Sequence, residues 1–194
     1  MDFFRHKFLC SALFLVLLIS PSLLGCAPKP AILENVLNTP GHHTSSGFKL
    51  IKKGYLYDAK REFNLALELE PHYSPAYRGL GLVYGIEKNF KQAFKDMGSA
   101  RDYAKEREDG ALACVGFMRL YTMRKGKGWL EDVEGSFLEA TSSVKDRPEA
   151  YYYMGIAYEE ADRIPESKKA LEKVLGINKG LVLEAYEALK RIKK

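Results

Sequence analysis

Residues 74–107 read SPAYRGLGLVYGIEKNFKQAFKDMGSARDYAKER, and this stretch decides the fold because its spacing recurs before and after it. Gly81 and Ala93 lack bulk, so they leave room where a first helix would meet a second one. The larger apolar residues that would fill the remaining space are Tyr77, Leu80, Tyr84 and Met97. The stretch therefore predicts a pair of closely packed helices.

The same stretch resembles a tetratricopeptide repeat, which places an aromatic residue, Leu-Gly, Tyr, Ala, a large apolar residue and a second Ala within about 34 residues. The resemblance is carried by Tyr77, Leu80, Gly81, Tyr84, Ala93, Met97 and Ala100. It implies an all-α fold, a right-handed solenoid of about four helix pairs. The repeats would lie near residues 40–73, 74–108, 109–147 and 148–181, and a capping helix would follow at 181–193.

The first repeat matches this pattern best in its second half. A step of 34 residues toward the N-terminus places Gly47, Ala59, Phe63, Ala66 and Pro71 at equivalent positions. Residues 41–46 are poor helix formers. We therefore expect the first helix to begin only at about Thr44 or Ser45, with one of them as N-cap, and a second helix to cover residues 57–70.

The third repeat departs from the 34-residue spacing. Its second helix would carry Val133, Phe137 and Ala140 at the usual mutual spacing, but after an insertion of about five residues. We place this insertion in the segment RKGKGW at 124–129, which contains Arg124, Lys125, Lys127 and Trp129. Insertions in solenoids form loops, and loops often carry recognition. A longer solvated turn is the alternative interpretation.

The fourth repeat returns to the pattern, with Tyr151, Met154, Gly155, Tyr158, Ser167, Leu171 and Val174 at repeat positions. After it, residues 181–193 form an amphipathic pattern that predicts one more helix. A solenoid needs such a cap, because an uncovered terminal repeat exposes apolar surface.

The N-terminus has the composition of a secretory signal. Arg5 and Lys7 precede a short apolar run at residues 8–19, too short to cross a bilayer as a helix. The following Leu23-Leu24-Gly25-Cys26 resembles the bacterial lipobox. The resemblance implies removal of residues 1–25 and a lipid, including palmitate, on Cys26. An ordinary cleaved signal with an incidental Cys26, or an uncleaved anchor, are the alternatives.

Residues 26–43 would then form a lipidated cysteine followed by a flexible linker, since Pro28, Pro30, Pro40 and Gly41 break regular structure. The solenoid would occupy 44–194. Ala27 follows the cysteine, where Asp would signal retention in the inner membrane. The resemblance therefore implies an outer-membrane lipoprotein facing the periplasm, or the cell-surface side of the cytoplasmic membrane in an organism with one membrane.

Composition and motifs disfavour several other classes of protein. A formal net charge of +5, spread over the chain, is unlike the concentrated basic stripe of a nucleic-acid-binding protein. The pair His42-His43 lacks nearby ligand partners, so we predict no metal site. Ser142 to Lys145 matches S-x-x-K, but the companion motifs of penicillin-recognising enzymes are absent from the sequence. We expect no enzyme activity, no cofactor and a buried, inert Cys114.

The first helices of tetratricopeptide domains line a concave surface, and the resemblance selects the residues that would lie there. The predicted peptide groove consists of Phe48, Lys52, Arg78, Leu82, Ile86, Phe117, Tyr121, Tyr152 and Ile156. An aromatic groove suits an extended peptide; burial of several of these residues in a tight curl is the alternative. The Lys and Asn clamp for C-terminal carboxylates is not matched, since Thr44, Phe48 and Gly79 stand in its region.

We therefore predict a membrane-anchored lipoprotein that acts as a protein-protein interaction scaffold in the bacterial cell envelope. Envelope assembly, secretion, pilus biogenesis and regulation of cell-wall enzymes are the processes it could serve. Its partners would be an envelope protein or peptide and, through the lipid, the membrane, with no nucleic acid. The alternative is a self-associating structural lipoprotein, a homo-oligomer without a dedicated peptide ligand.

Overall fold

A computed structural model describes residues 37–192, and within this range it contains nine α-helices and no strand. The helices are α1 Pro40–Lys53, α2 Leu56–Leu69, α3 Ser74–Ile86, α4 Phe90–Asp102, α5 Arg107–Arg124, α6 Trp129–Ser143, α7 Pro148–Glu160, α8 Ile164–Ile177 and α9 Val182–Ile192. The expected all-α solenoid of four helix pairs with a C-terminal helix is confirmed. The predicted signal peptide, Cys26 and most of the linker lie outside the described residues.

Helix α1 begins earlier than the sequence pattern predicted. The Thr39 hydroxyl oxygen accepts a hydrogen bond from the His42 N–H at 3.2 Å, and Pro40 occupies the first turn, where its fixed φ suits a helix start. His43 lies beside Glu62, with 2.8 Å between Nδ1 and Oε2. The expected start at Thr44 or Ser45 is therefore wrong, because a cap and a proline outweigh the weak helix formers behind them.

The helices pack as four consecutive pairs, α1/α2, α3/α4, α5/α6 and α7/α8. Each second helix of a pair also contacts the first helix of the next pair, and the first helices α1, α3, α5 and α7 contact one another in succession. Helix α9 packs on α8 and α7, where it covers Leu171 and Val174. None of the helices within residues 37–192 is long and apolar enough to cross a membrane.

Glycines of the first helices receive large side chains of the second helices. The fully buried Phe63 of α2 lies against Gly47 of α1 and Gly79 of α3. Met97 of α4 lies in the same way against Gly81 of α3 and Gly116 of α5. The missing side chains bring successive helices close together, as the 34-residue pattern predicted for Gly81.

Helix α5 is displaced from the 34-residue register. Gly79 contacts Phe63, 16 residues before it, whereas Gly116 contacts Met97, 19 residues before it. The packing face of α5 therefore lies three residues later in the sequence than the repeat pattern places it. Since α5 has 18 residues and α3 has 13, residues 107–110 form an additional first turn.

The turn that follows α5 is short. Lys125 ends the helix in the left-handed conformation, with φ 47°, and Gly128 precedes α6 with φ 71°. Only residues 125–128 separate the two helices. Most of the insertion expected at 124–129 is thus accommodated as additional helix, which satisfies its backbone hydrogen bonds internally.

Candidate functional site

The first helices surround a cavity of about 330 Å³. Its apolar lining comes from α1, α3, α5, α7 and the residue before α9, and consists of Phe48, Leu82, Leu112, Val115, Tyr153 and Leu181. Arg78, Arg119 and Glu149 supply its charged side chains, and Gly116 completes the wall. A volume near the lower end of the range for ligand sites, with a mainly apolar lining and a few charges, is typical of a binding cavity.

Arg78 of α3 is held against an aromatic ring. Its guanidinium carbon lies 4.7 Å from the centre of the Phe48 ring. Burial lowers the pKa of Arg78 from its usual value to about 10, although the charges of Asp109 and Glu149 act in the opposite direction. The guanidinium remains charged at neutral pH, in a position where water compensates its charge poorly.

Arg119 of α5 has a similar arrangement on the other side of the cavity. Its guanidinium carbon lies 4.8 Å from the centre of the Tyr153 ring of α7. Stacking on an aromatic face holds a guanidinium in place and leaves the N–H groups at its edge available. The cavity therefore presents two positioned cations, one on each side.

Arg147, which precedes α7, takes up acidic groups beside the cavity. Its side chain is 14% exposed, contacts Glu108 and lies 3.5 Å from Glu149 Oε2. Its Nε atom is buried and has no hydrogen-bond partner among the described residues. Glu108 and Asp109 belong to the additional first turn of α5, so this turn brings carboxylates to the edge of the arginine group.

Three of the nine residues predicted for the groove line this cavity: Phe48, Arg78 and Leu82. Leu82 is only 3% exposed, so it contributes to the floor more than to an open wall. Lys52, in the last turn of α1, and Ile86, the last residue of α3, are exposed and lie outside the lining.

Phe117 and Tyr121 lie in a separate aromatic cluster with Phe94 of α4. Ring centres are 6.2 Å apart for Phe94 and Phe117 and 5.0 Å apart for Phe94 and Tyr121. Arg101 stacks over Phe117 at 5.2 Å, and Arg124 over Phe94 at 4.7 Å. These two predicted groove residues therefore pack between α4 and α5 instead of facing Arg78.

Tyr152 and Ile156 pack at the other end of the solenoid. They border the buried cluster of Leu171, Val174 and Leu189, which joins α8 to the terminal helix α9. The nine residues thus fall into several groups and do not form one continuous lining. Whether any of them binds a peptide stays a prediction.

The displaced register of α5 explains this distribution. Leu82 and Arg119 both line the cavity and are 37 residues apart, whereas the repeat pattern assumed 34 and selected Phe117 instead. Arg119, Val115 and Leu112 were missed for this reason. The signal that could have found them is the position of Gly116, which follows Met97 by three residues more than Gly79 follows Phe63.

The four residues of the predicted inserted loop make different contacts. Arg124 stacks on the ring of Phe94, and Lys125 Nζ lies 2.6 Å from Glu160 Oε2 at the end of α7. Trp129 packs against the buried cluster around Met118 and Val133, whereas Lys127 is exposed. The segment joins α5 to its neighbours on both sides.

Chemical groups outside the cavity show no catalytic arrangement among residues 37–192. No group of three or more His, Cys, Asp or Glu side chains in this range could hold a metal ion. The Ser142 hydroxyl donates a hydrogen bond to the Glu139 carbonyl oxygen at 2.9 Å, and Lys145 is exposed. Burial raises the pKa of the Cys114 thiol to about 12, so this side chain is a poor nucleophile.

No family model matches the sequence, and no curated protein matches it. The structure of pilF from Pseudomonas aeruginosa is similar, with a TM-score of 0.57 and 19% identity over 79% of this chain and 69% of that one. A chain of the APC/C hetero-tetramer Cut9-Hcn1 gives a TM-score of 0.59 and 13% identity over 84% of this chain, which corresponds to 32% of that chain. The likeness establishes the fold: the described residues form a solenoid of the tetratricopeptide type.

Proposed function

We propose that this protein is a membrane-anchored interaction scaffold of the bacterial cell envelope, and that its cavity binds an extended segment of a partner protein. The observation that carries the proposal is the convergence of the four first helices on one cavity with aromatic, aliphatic and arginine side chains. Aromatic and arginine side chains dominate the energy of protein interfaces. Envelope assembly, secretion, pilus biogenesis and regulation of cell-wall enzymes are the processes in which such a scaffold would act.

Site-specific photocrosslinking in living cells tests the binding role. A photoreactive amino acid at Leu112, inside the cavity, should give a discrete crosslinked product. The same group at Tyr57, which is 78% exposed on α2, serves as the matched control and should not. Tyr153→Ala, which removes a wall of the cavity, should abolish the Leu112 product; equal products from both positions would refute the proposal.

The anchor rests on the lipobox-like sequence that ends at Cys26. Two or more acyl chains hold a protein at a membrane stably, whereas a single chain binds only marginally. Cells grown with labelled palmitate should incorporate the label into the wild-type protein and not into Cys26→Ser. Label that persists in Cys26→Ser would show that the cysteine is not the lipid attachment site. Membrane fractionation of the same cultures would then test the proposed outer-membrane location.

Self-association is a second candidate, supported by the terminal helix. Leu183 and Tyr186 of α9 are 68% and 57% exposed and lie three residues apart, which places them on one side of the helix. A second copy could cover these side chains. The mass in solution of the chain from Ala27 onward decides the matter, since a strict monomer at high concentration contradicts this candidate.

A further inference from the structure

Two guanidinium groups in the cavity have no acidic partner. Arg78 and Arg119 both line it, and no carboxylate among residues 37–192 lies within 4.0 Å of either side chain. Neither guanidinium donates a hydrogen bond to any other group of these residues. By contrast, Arg147 next to them contacts both Glu108 and Glu149.

The stacking leaves the binding edges of both groups unused. Each guanidinium turns a face to a ring, Arg78 to Phe48 at 4.7 Å and Arg119 to Tyr153 at 4.8 Å. The N–H donors lie in the plane of the group and match the two oxygens of a carboxylate. Two such groups in one cavity are therefore arranged to receive an anion.

The acidic side chains nearby compensate these charges incompletely. Glu149 also lines the cavity, but Arg147 already lies 3.5 Å from its Oε2. Asp109 and Glu149 attract the charge of Arg78, yet the effect of burial on its pKa is larger than their combined effect, and the positive charge of Arg119 adds to it. A bound anion would restore the balance at the site where it is lacking.

We propose that the cavity selects segments that carry an Asp or Glu side chain, and that Arg78 and Arg119 together hold its carboxylate. The neighbouring apolar side chains of the segment would pack on Leu112, Val115 and Leu82. Because the lining continues from Phe48 to Leu181 on either side of the arginines, the acidic residue lies within the bound segment and not at a chain terminus. This inference rests on the proposed peptide-binding function.

Selection from a random peptide library tests it. The probe is a phage library of random 12-residue peptides with no free C-terminus, and the target is the full chain in detergent. Peptides selected by the wild type should share an acidic residue at one position. Arg78→Gln and Arg119→Gln should each lose this preference, whereas Arg61→Gln, an arginine on α2 with a 64% exposed side chain, should retain it.

A synthetic copy of the selected peptide gives the quantitative measure. Replacing its acidic residue by the corresponding amide should weaken binding by about tenfold or more, the effect of losing one charged hydrogen-bonded contact. The same replacement should matter little to Arg119→Gln. Arg119→Lys keeps the charge but not the paired donors, and should show an intermediate loss; it also serves as the test if the Gln variant is unfolded by circular dichroism.

The outcomes separate the two proposals. Selected peptides that bind in the cavity but share no acidic residue would overturn the inference and leave the peptide-binding function standing. A library that yields no peptide above the background of the empty support would overturn the peptide-binding function, and the inference with it.

Discussion

The edge of the Phe63 ring lies directly against the backbone of Gly79. A methyl group on Gly79 would meet ring atoms Cε1 and Cζ of Phe63, and one on Gly47, on the other side, would lie 2.6 Å from Cε1. The ring thus occupies a slot between two helices that exists only because both residues are glycines. An aromatic ring cannot bend away from such a contact as a flexible side chain can.

Gly79→Ala should therefore destabilise the protein by about 1–3 kcal/mol through overpacking, measured by urea unfolding. Gly98→Ala is the matched control, since Gly98 lies in helix α4 with no atom within 4 Å of an added Cβ. That variant should gain up to about 1 kcal/mol from helix propensity. Phe63→Leu in the Gly79→Ala background should recover part of the loss; two glycine substitutions with equal effects would contradict the slot.

The terminal helix supplies a pair of leucines that test its capping role. Leu189 is 6% exposed against α8, and Leu183 on the same helix is 68% exposed. Leu189→Ala should lower the free energy of unfolding by about 2 kcal/mol or more, as for buried leucines elsewhere, while Leu183→Ala should change it by less than about 0.5 kcal/mol. Similar losses in both variants would show that α9 does not cap the solenoid through this face.

Asp96 of α4 predicts a dependence of stability on pH. It is 6% exposed; Oδ1 accepts a hydrogen bond from Gln92 at 2.8 Å, but Oδ2 has no partner among the described residues. Burial raises the pKa of Asp96 above its ordinary value of 3.8. The folded state therefore holds this proton more tightly than the unfolded state, and the protein loses stability as pH rises through the raised pKa.

Asp96→Asn removes the titration while keeping the shape. Relative to the wild type, this variant should gain stability as pH rises from about 4 to neutrality, and the gain should vanish near the unfolded-state pKa of an aspartate, about 3.9. Urea unfolding of both proteins at several pH values gives this difference directly. A difference that does not change with pH would show that Asp96 titrates normally.

Cys114 should be unreactive in the folded protein. With its pKa raised to about 12 by burial, roughly one thiol in ten thousand would be ionised at pH 8, and the thiolate is the reactive form. Iodoacetamide should modify Cys114 only after unfolding, as measured by mass spectrometry of its peptide. Met123→Cys, at a position of the same helix that is 39% exposed, should be modified in the folded state; rapid modification of native Cys114 would contradict its burial.

The fold could be predicted because the sequence states its packing contacts locally. Gly81, Ala93 and Met97 stand at fixed offsets, and the structure places all three where the first helix of a pair meets the second. The same physical rule, a small residue opposite a large one, holds at Phe63 and at Leu171, which lies against Gly155. The terminal helix followed from the need to cover Val174.

The cavity could not be predicted in the same way, because its lining depends on how helices of different repeats are aligned. A fixed step of 34 residues leads from Phe48 to Leu82 correctly and then misses Arg119 by three residues. Its partner ring, on Tyr153, comes from yet another repeat. The start of α1 failed for a different reason, since the cap at Thr39 belongs to the segment interpreted as linker.

The additional turn of α5 also limits how this chain can be rearranged. Glu108 in that turn contacts Arg147, and Lys125 at the other end of the helix reaches Glu160, so the third unit is fitted to the fourth at both ends. Duplicating, deleting or exchanging a 34-residue module across this junction would separate these contacts and turn the arginines away from each other. Modular redesign should therefore treat residues 107–177 as a single indivisible block.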